Sequence, residues 1–426
     1  MAETSGSRCM APERVLRAPG STGMCRINAL PDDLLLRAIS HLDVRQVVQT
    51  CVLSRRWRDL WRSVPRINAS HREFDGMADT DEERDSLFKK FVNRFLMLRN
   101  SVALDEFRLC YNVPDATPDH DADSADANLW IVHALQCNAR TVEVSGWDAR
   151  LHLDPAVFAS ECLLTSLELS GVIVFPGFFR NLQTGCRVLE RLMLCDCGIT
   201  DIEITSRTLK FLTIDMDSHI TFGEQGCISI PSLIDLRFFA DGRIPLLKNM
   251  ESLVKASVLV RTDDDTQVDD IHQFLNCLSR VTYLDFDYRG NLQKMEKNLQ
   301  WCPKFNNLMV LTLDTWWLRE DLSSFIVFLQ NSPNLMKLTL KVYNLGSARA
   351  YQALSSIIGE LKEISLTNEH LEIVEVVEIA GFEGTSDTNI VEKLLLESGM
   401  TSDQIELKHL QGTVSIVLKL RLQVTE

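Results

Sequence analysis

The sequence predicts an α/β chain in two parts, a small three-helix unit at the amino end followed by a repeat solenoid. Two observations carry that expectation. Three helical stripes are packed into residues 27–65, and a pattern apolar-x-x-apolar-x-apolar recurs every 20–28 residues from residue 139 onward. A third observation sets aside disorder and membrane insertion. The 426 residues are 45% apolar and 24% charged, yet the longest apolar runs are short ones such as Phe325–Leu329. Such a chain can bury a core but lacks the ~20 consecutive apolar residues of a membrane span.

Residues 1–26 are rich in Ala, Gly, Ser, Pro and Arg and read as a disordered tail without the apolar core of a secretory signal. The twelve Cys follow no framework spacing, which fits reduced thiols in nucleus or cytoplasm. Net charge is −15 but uneven: residues 1–72 hold 12 Arg, no Lys and 6 acids, a net of +6. The remainder, at −21, would repel nucleic acid, so no nucleic-acid partner and no membrane partner are expected. The Arg-rich end suits either an acidic partner or a solvated helix face.

The three stripes follow in order. Pro31 fits a first helical position, with Asp32 and Asp33 at the positive end of the helix dipole. Leu35, Ala38, Ile39 and Leu42 then fall on one face. Asp43 is placed to cap a second helix carrying Val44, Val47, Val48 and Cys51, and Ser54 a third carrying Trp57, Leu60, Trp61 and Val64. Leu30, Leu34, Leu36, Val52 and Leu53 lie off these stripes. Forty residues cannot bury that surplus alone, so a further domain or another protein must cover it.

The run INALPDDLLLRAISHLDVRQVVQTCVLSRRWRDLWRSVP resembles an F-box, in the form found in plant F-box proteins with leucine-rich repeats. Its LPDDLL opening and VLSRRWRDLW close carry the resemblance, while Leu42-Asp43 stands where members often have Leu-Pro. The resemblance implies docking on the Skp-family adaptor of a cullin-RING ubiquitin ligase. It implies adaptor contacts from Leu30, Pro31, Leu34, Leu35, Ile39, Leu42, Val48, Leu53 and Trp57. Val47, Cys51 and Leu60 are expected instead to hold the helices together or to pack on the repeats.

The unit is bounded at 27–66 and followed by a helical connector at 67–103, with Leu87, Phe91, Phe95 and Leu98 on one helix face. An acidic low-complexity insertion at 113–127 reads as solvated, because it lacks the ligand positions of a calcium loop. From 104 to 370 the pattern LTSLEL (164–169), LERLML (189–194), LKFLTI (209–214), LIDLRF (233–238) and LVKASV (253–258) repeats. It continues as VTYLDF (281–286), LMVLTL (308–313), LMKLTL (335–340) and LKEISL (361–366), with looser fits at LDEFRL (104–109) and ARTVEV (139–144). That period belongs to leucine-rich repeats.

The full expectation is thus a three-helix F-box followed by an irregular leucine-rich-repeat solenoid, a horseshoe with a parallel sheet on its concave face. Each repeat can bury its apolar positions only against its neighbours. Alternate strand residues then point to the concave face. Among them Phe211, Arg237, Phe239 and Tyr283 stand out, because aromatic and Arg side chains dominate binding hot spots. Residues 371–426 resemble a C-terminal FBD module through VEI-x-GF-x-G at Val377–Gly384 and LLLESG at Leu394–Gly399. Its strands, including Val414–Leu420, are expected to cap the last repeat.

Catalytic chemistry has no signature. There is no phosphate-binding glycine loop, and Cys186, Cys195 and Cys197 lack the paired spacing of zinc ligands and read as buried small residues. The nine His, His272 and His370 included, form no argued triad, Trp316-Trp317 reads as a loop anchor, and Asp263-Asp264-Asp265 as a solvated loop. No catalytic residue, metal or cofactor is therefore expected. The reading is a non-catalytic substrate-recognition subunit of an SCF-type ligase, bound to a Skp-family adaptor and through it a cullin, with an unknown target on the solenoid. The alternative is an interaction scaffold that binds the adaptor without promoting ubiquitination.

Overall fold

The computed structural model describes residues 26–112, 120–146, 151–199, 203–216, 226–241, 244–261, 268–289, 302–314, 323–343, 373–379, 405–410 and 413–419. The amino-terminal unit comprises a 3-10 turn Arg26–Ala29, α1 (Asp32–Ile39), α2 (Val44–Gln49) and 3-10 turns at Thr50–Val52 and Leu60–Ser63. Then come β1 (Arg66–Ser70), α3 (Asp81–Leu98), β2 (Glu106–Cys110), α4 (His120–Gln136) and β3 (Thr141–Ser145). The run β4 (Leu151–Leu153), β5 (Ser166–Ser170), β6 (Val172–Val174), α5 (Phe178–Gly185), β7 (Arg191–Cys195), β8 (Gly198–Ile199) and β9 (Glu203–Thr205) follows. Next are β10 (Phe211–Met216), β11 (Cys227–Ser229), β12 (Asp235–Asp241), β13 (Leu246–Lys248), β14 (Lys255–Arg261), α6 (Val268–Cys277) and β15 (Tyr283–Tyr288). The chain closes with β16 (Val310–Leu313), α7 (Ser323–Gln330), β17 (Lys337–Tyr343), β18 (Ile373–Ile379), β19 (Ile405–Leu410) and β20 (Thr413–Lys419).

One strand per repeat joins a 14-stranded sheet in the order β1-β2-β3-β5-β7-β10-β12-β14-β15-β16-β17-β18-β20-β19. Every pairing from β1 to β18 is parallel and in register with the repeat, Leu212 against Leu192 and Leu236 for example. Short parallel sheets β4-β6-β8 and β9-β11-β13 collect later segments of successive repeats. This is a mixed α/β fold, amino-terminal helices followed by a parallel-strand region laid out as a leucine-rich-repeat-like solenoid. The second and third apolar positions of each repeat form the core: Leu167, Leu169, Leu192, Leu194, Leu284, Leu311, Leu338 and Leu340 are all fully buried. Stacking does what one repeat alone cannot, because each buried pair is covered by the pairs above and below. After β18 the sheet ends in the antiparallel strands β20 and β19.

Several expectations change. The parallel sheet begins at β1, which overlaps the start of the segment expected to be a helical connector. Val64, Ile67 and Ala69 carry the same apolar spacing and are buried. The packed face of α3 is Phe88, Val92, Phe95 and Leu96, whereas Leu87 and Leu98 are exposed. The cause is the aromatic nest beside it, where Phe88 stacks on Tyr111 at 5.6 Å and meets Trp130 edge-on at 5.5 Å. Part of the acidic insertion is not a solvated loop. His120 opens α4, and Ser124 is buried with its hydroxyl accepting from the His152 N–H at 2.9 Å. The described strand beside β17 is β18, and the expected strand LKEISL lies outside the described residues. Residues 1–25, Trp316-Trp317, Asp263–Asp265, His370 and most of the FBD-like stretch also lie outside the described residues.

Candidate protein-docking surfaces

The third expected helix is a run of turns ending in the 3-10 turn Leu60–Ser63. The Ser54 hydroxyl caps nothing and is buried without a partner. Asp43 does stand at the N-cap of α2, but its carboxylate accepts from Asn68 of β1 instead of capping. The amino-terminal unit is therefore sewn to the first strand, and Val44, Val47, Trp57, Leu60 and Val64 share one continuous core with the sheet.

That packing divides the nine predicted contact residues. Leu35, Ile39 and Trp57 are buried inside the chain, at 0%, 4% and 2% exposure, which corrects their assignment as surface contacts. They belong to the continuous core instead, an interior that helical spacing on an isolated unit does not reveal. Val48 is half-buried against the core. Leu30, Pro31, Leu34, Leu42 and Leu53 are exposed, Leu34 by 48% and Leu53 by 62%. Ile27 and Val52 add to the same exposed apolar set. Of the residues expected to be structural, Val47 and Leu60 are buried and Cys51 packs against the core.

The Leu30-Pro31 corner is built, not loose. Pro31 is fixed at φ −58° and ψ 151° ahead of α1, and its carbonyl accepts from the N–H groups of Leu34 and Leu35, each at 3.2 Å. Behind the corner the Arg56 guanidinium donates to the carbonyls of Asn28 and Leu30, both at 2.5 Å, and its Nε to the Asp32 carboxylate at 2.8 Å. The Trp57 indole N–H donates to Asn28 Oδ1 at 2.7 Å. Sequence reasoning missed Arg56 and Asn28. Both Arg56 and its neighbour Trp57 reach back to Asn28, a contact between distant segments that the local sequence pattern does not mark. Arg37, Arg55 and Arg58 of the same unit are exposed as well.

The second surface is the main-sheet face turned away from the core. Phe211, Arg237, Phe239 and Tyr283 all lie on it, as strand alternation requires. The Arg191 guanidinium lies 4.2 Å from the Phe211 ring centre and the Lys255 ammonium 4.8 Å from that of Tyr283. Phe211 and Tyr283 are three strands apart, about 14 Å, so the four residues share a face without forming one touching cluster. Further along, Lys341 donates to Asp285 at 3.0 Å and Arg289 to Asp287 at 2.9 Å. Burial pushes the Asp287 carboxyl above its usual range, Asp314 adds to this, and Arg289 opposes it. Burial also works against the charge of Lys341, but Asp285 and Asp314 outweigh it and hold its pKa up.

Among the described residues, no group of three or more His, Cys, Asp or Glu is arranged to hold a metal ion, and no helix is long and apolar enough to cross a membrane.

Comparison with known proteins agrees with this architecture. The F-box domain family matches residues 27–68. The chain is 27% identical to a putative FBD-associated F-box protein of Arabidopsis thaliana, over 68% of this chain and 70% of the relative. It is 28% identical to F-box/LRR-repeat protein 13 of the same plant, over 77% and 79%. A putative F-box/FBD/LRR-repeat protein, also from Arabidopsis thaliana, is 26% identical over 90% and 95%. The chain thus carries a match to the F-box domain family at residues 27–68 and is similar over most of its length to F-box proteins, some of them named for leucine-rich repeats and an FBD segment.

Proposed function

We propose that this chain is the substrate-recognition subunit of an SCF-type ubiquitin ligase. Its F-box docks on a Skp-family adaptor, which joins it to a cullin, while the sheet face holds a target protein. The observation that carries the reading is the exposed apolar set Ile27, Leu30, Leu34, Leu42, Val52 and Leu53 within the F-box match. Each of these side chains is partly exposed, and covering it contributes about 1 kcal/mol. The exposed Arg37, Arg55 and Arg58 of the same unit favour an acidic partner surface by steering its approach.

Leu30, Pro31, Leu34, Leu42, Val48 and Leu53 are assigned to the adaptor contact, and Phe211, Arg237, Phe239 and Tyr283 to the target. The chain divides into the F-box at 27–66, a repeat region running from β1 to β17, and a carboxy-terminal cap from 371. Ubiquitin transfer would be accelerated by tethering, which raises the local concentration of target at the charged enzyme. No residue of this chain performs chemistry on that reading.

The test is co-purification of the full chain with a Skp-family adaptor, comparing wild type with Leu30→Ala/Pro31→Ala. Loss of the adaptor in the variant is expected. Equal recovery would overturn the assignment. Recovery of a cullin with the wild type, and a protein that accumulates when this chain is deleted, separate the ligase from an adaptor-bound scaffold.

A further inference from the structure

Cys162 and Cys186 meet inside the fold, 24 residues apart in sequence, with their sulfurs 3.1 Å from each other. That is closer than ordinary contact between two sulfurs and only about 1 Å beyond a disulfide bond length. The backbone is shaped to produce the meeting. Cys162 lies in the loop after the 3-10 turn Pro155–Phe158, and Cys186 is the C-cap of α5. The Cys162 N–H donates to the Gly185 carbonyl at 3.0 Å. Gly185 allows the approach: a Cβ there would lie 2.1 Å from the Phe158 carbonyl oxygen and 2.7 Å from that of Ser160. These are backbone atoms, so only a residue without a side chain brings the end of α5 this close.

The two thiols are not equivalent. The Cys186 thiol hydrogen bond lowers the pKa of Cys162, and an N–H from Leu164 adds to this against the effect of burial. The same hydrogen bond, followed by burial, raises that of Cys186, which also sits at the negative end of a helix. Cys162 keeps 7% exposure against 2% for Cys186, so a small oxidant reaches Cys162 first. By contrast Cys197 is buried with its thiol donating to the carbonyls of Leu169 and Cys195, each at 3.3 Å.

We infer that Cys162 and Cys186 form a reversible oxidation site, which a hydroperoxide converts to a disulfide joining two adjacent repeats. The Cys162 thiolate attacks one oxygen of hydrogen peroxide, the O–O bond breaks, and hydroxide leaves, giving a sulfenic acid at Cys162. The Cys186 sulfur then attacks that sulfur and water departs, so the two thiols and one peroxide become one disulfide and two waters. A small dithiol reverses the step by exchange and leaves as its own cyclic disulfide. Disulfides of reduced compartments are usually transient and redox-sensing, and this pair has the geometry for that use. The inference is independent of adaptor docking.

The test treats the native full-length chain with hydrogen peroxide, blocks remaining thiols and digests with trypsin without reduction. Cys162 is the sole Cys of peptide 151–180 and Cys186 that of peptide 181–187. The expected product is the two peptides joined, two hydrogens lighter than their sum, and separated again by dithiothreitol. In Cys186→Ser the reaction should stop at a Cys162 sulfenic acid trapped by dimedone. Oxidation of wild type should raise the thermal midpoint by a few degrees, an increase absent from either serine variant. Both peptides remaining free in the native chain, or joining only in denaturant, would overturn the inference without reference to any variant.

Discussion

Replacing Arg56 by Met removes the guanidinium behind the Leu30-Pro31 corner while keeping an apolar stem. In the native fold that group makes two hydrogen bonds to backbone carbonyls, of Asn28 and Leu30, and one ion pair with Asp32. A hydrogen bond from a charged donor is worth about 1.5–3 kcal/mol when shielded. The Arg56 side chain is 35% exposed, so water replaces part of what is lost, and the two carbonyl contacts together come to about 2 kcal/mol. Asp32 is 59% exposed and adds at most about 0.5 kcal/mol. If docking requires the ordered corner, that ordering must be regained on binding. Adaptor affinity should then fall about 30- to 70-fold. Isothermal titration of the full chain with a purified Skp-family adaptor measures the change. Amide exchange at Leu34 and Leu35, whose N–H groups bond the Pro31 carbonyl, reports the corner itself. Affinity within twofold of wild type, with exchange at those amides accelerated, would refute the reasoning, because the corner would be loose and docking indifferent to it.

Three further outcomes follow from the same geometry. Burial, with a contribution from Asp43, pushes the Glu73 carboxyl up to about 7 from 4.5, although N–H groups of α2 partly offset this. The native chain therefore binds that proton more tightly than the unfolded chain. Its stabilising effect is complete below pH ~4.5 and is lost as pH rises through about 7. Discounted for its half-exposed position, Glu73→Gln should be about 1–2 kcal/mol more stable than wild type at pH 8. The variant should also lose the pH dependence between 5 and 7, and parallel denaturation profiles across that range would count against it. Gly185→Ala forces its new methyl against two backbone oxygens and should destabilise by about 3 kcal/mol, at the upper end of overpacking, read as a lowered urea midpoint. Leu338→Ala removes a side chain with no exposure between β16 and β18 and should lose about 2–5 kcal/mol by the same measurement, with adaptor binding unchanged.

The repeats were legible because each buries the same few positions, so spacing alone marks the strand. The strands at β2, β3, β5, β7, β10, β12, β14, β15, β16 and β17 coincide with the recurring pattern. Two more strands carry the same spacing and were passed over, Val64-x-x-Ile67-x-Ala69 at β1 and Leu371-x-x-Val374-x-Val376 at β18. The first lies directly behind the helical unit and the second in a segment assigned to another module, so neighbouring features hid them. The exposed half of the docking face was also legible, because Leu30, Leu34, Val52 and Leu53 fall off every helical stripe. Its other half was not. Leu35, Ile39 and Trp57 have the same residue types but point inward, and spacing on an isolated helix cannot say which side another element will cover.

By itself, the sequence determined what is periodic and local: the strand beat, the apolar triplets, the surplus of exposed leucines and the charge contrast between the two ends. Tertiary structure alone decided what depends on contacts between distant segments. It turned α3 onto Phe88 because Tyr111 and Trp130 wait there, and it clamped Leu30 with Arg56. It also brought Cys162 against Cys186 through the missing side chain of Gly185. A repeat writes its burial pattern into every copy, whereas a single contact between two loops leaves no period to read.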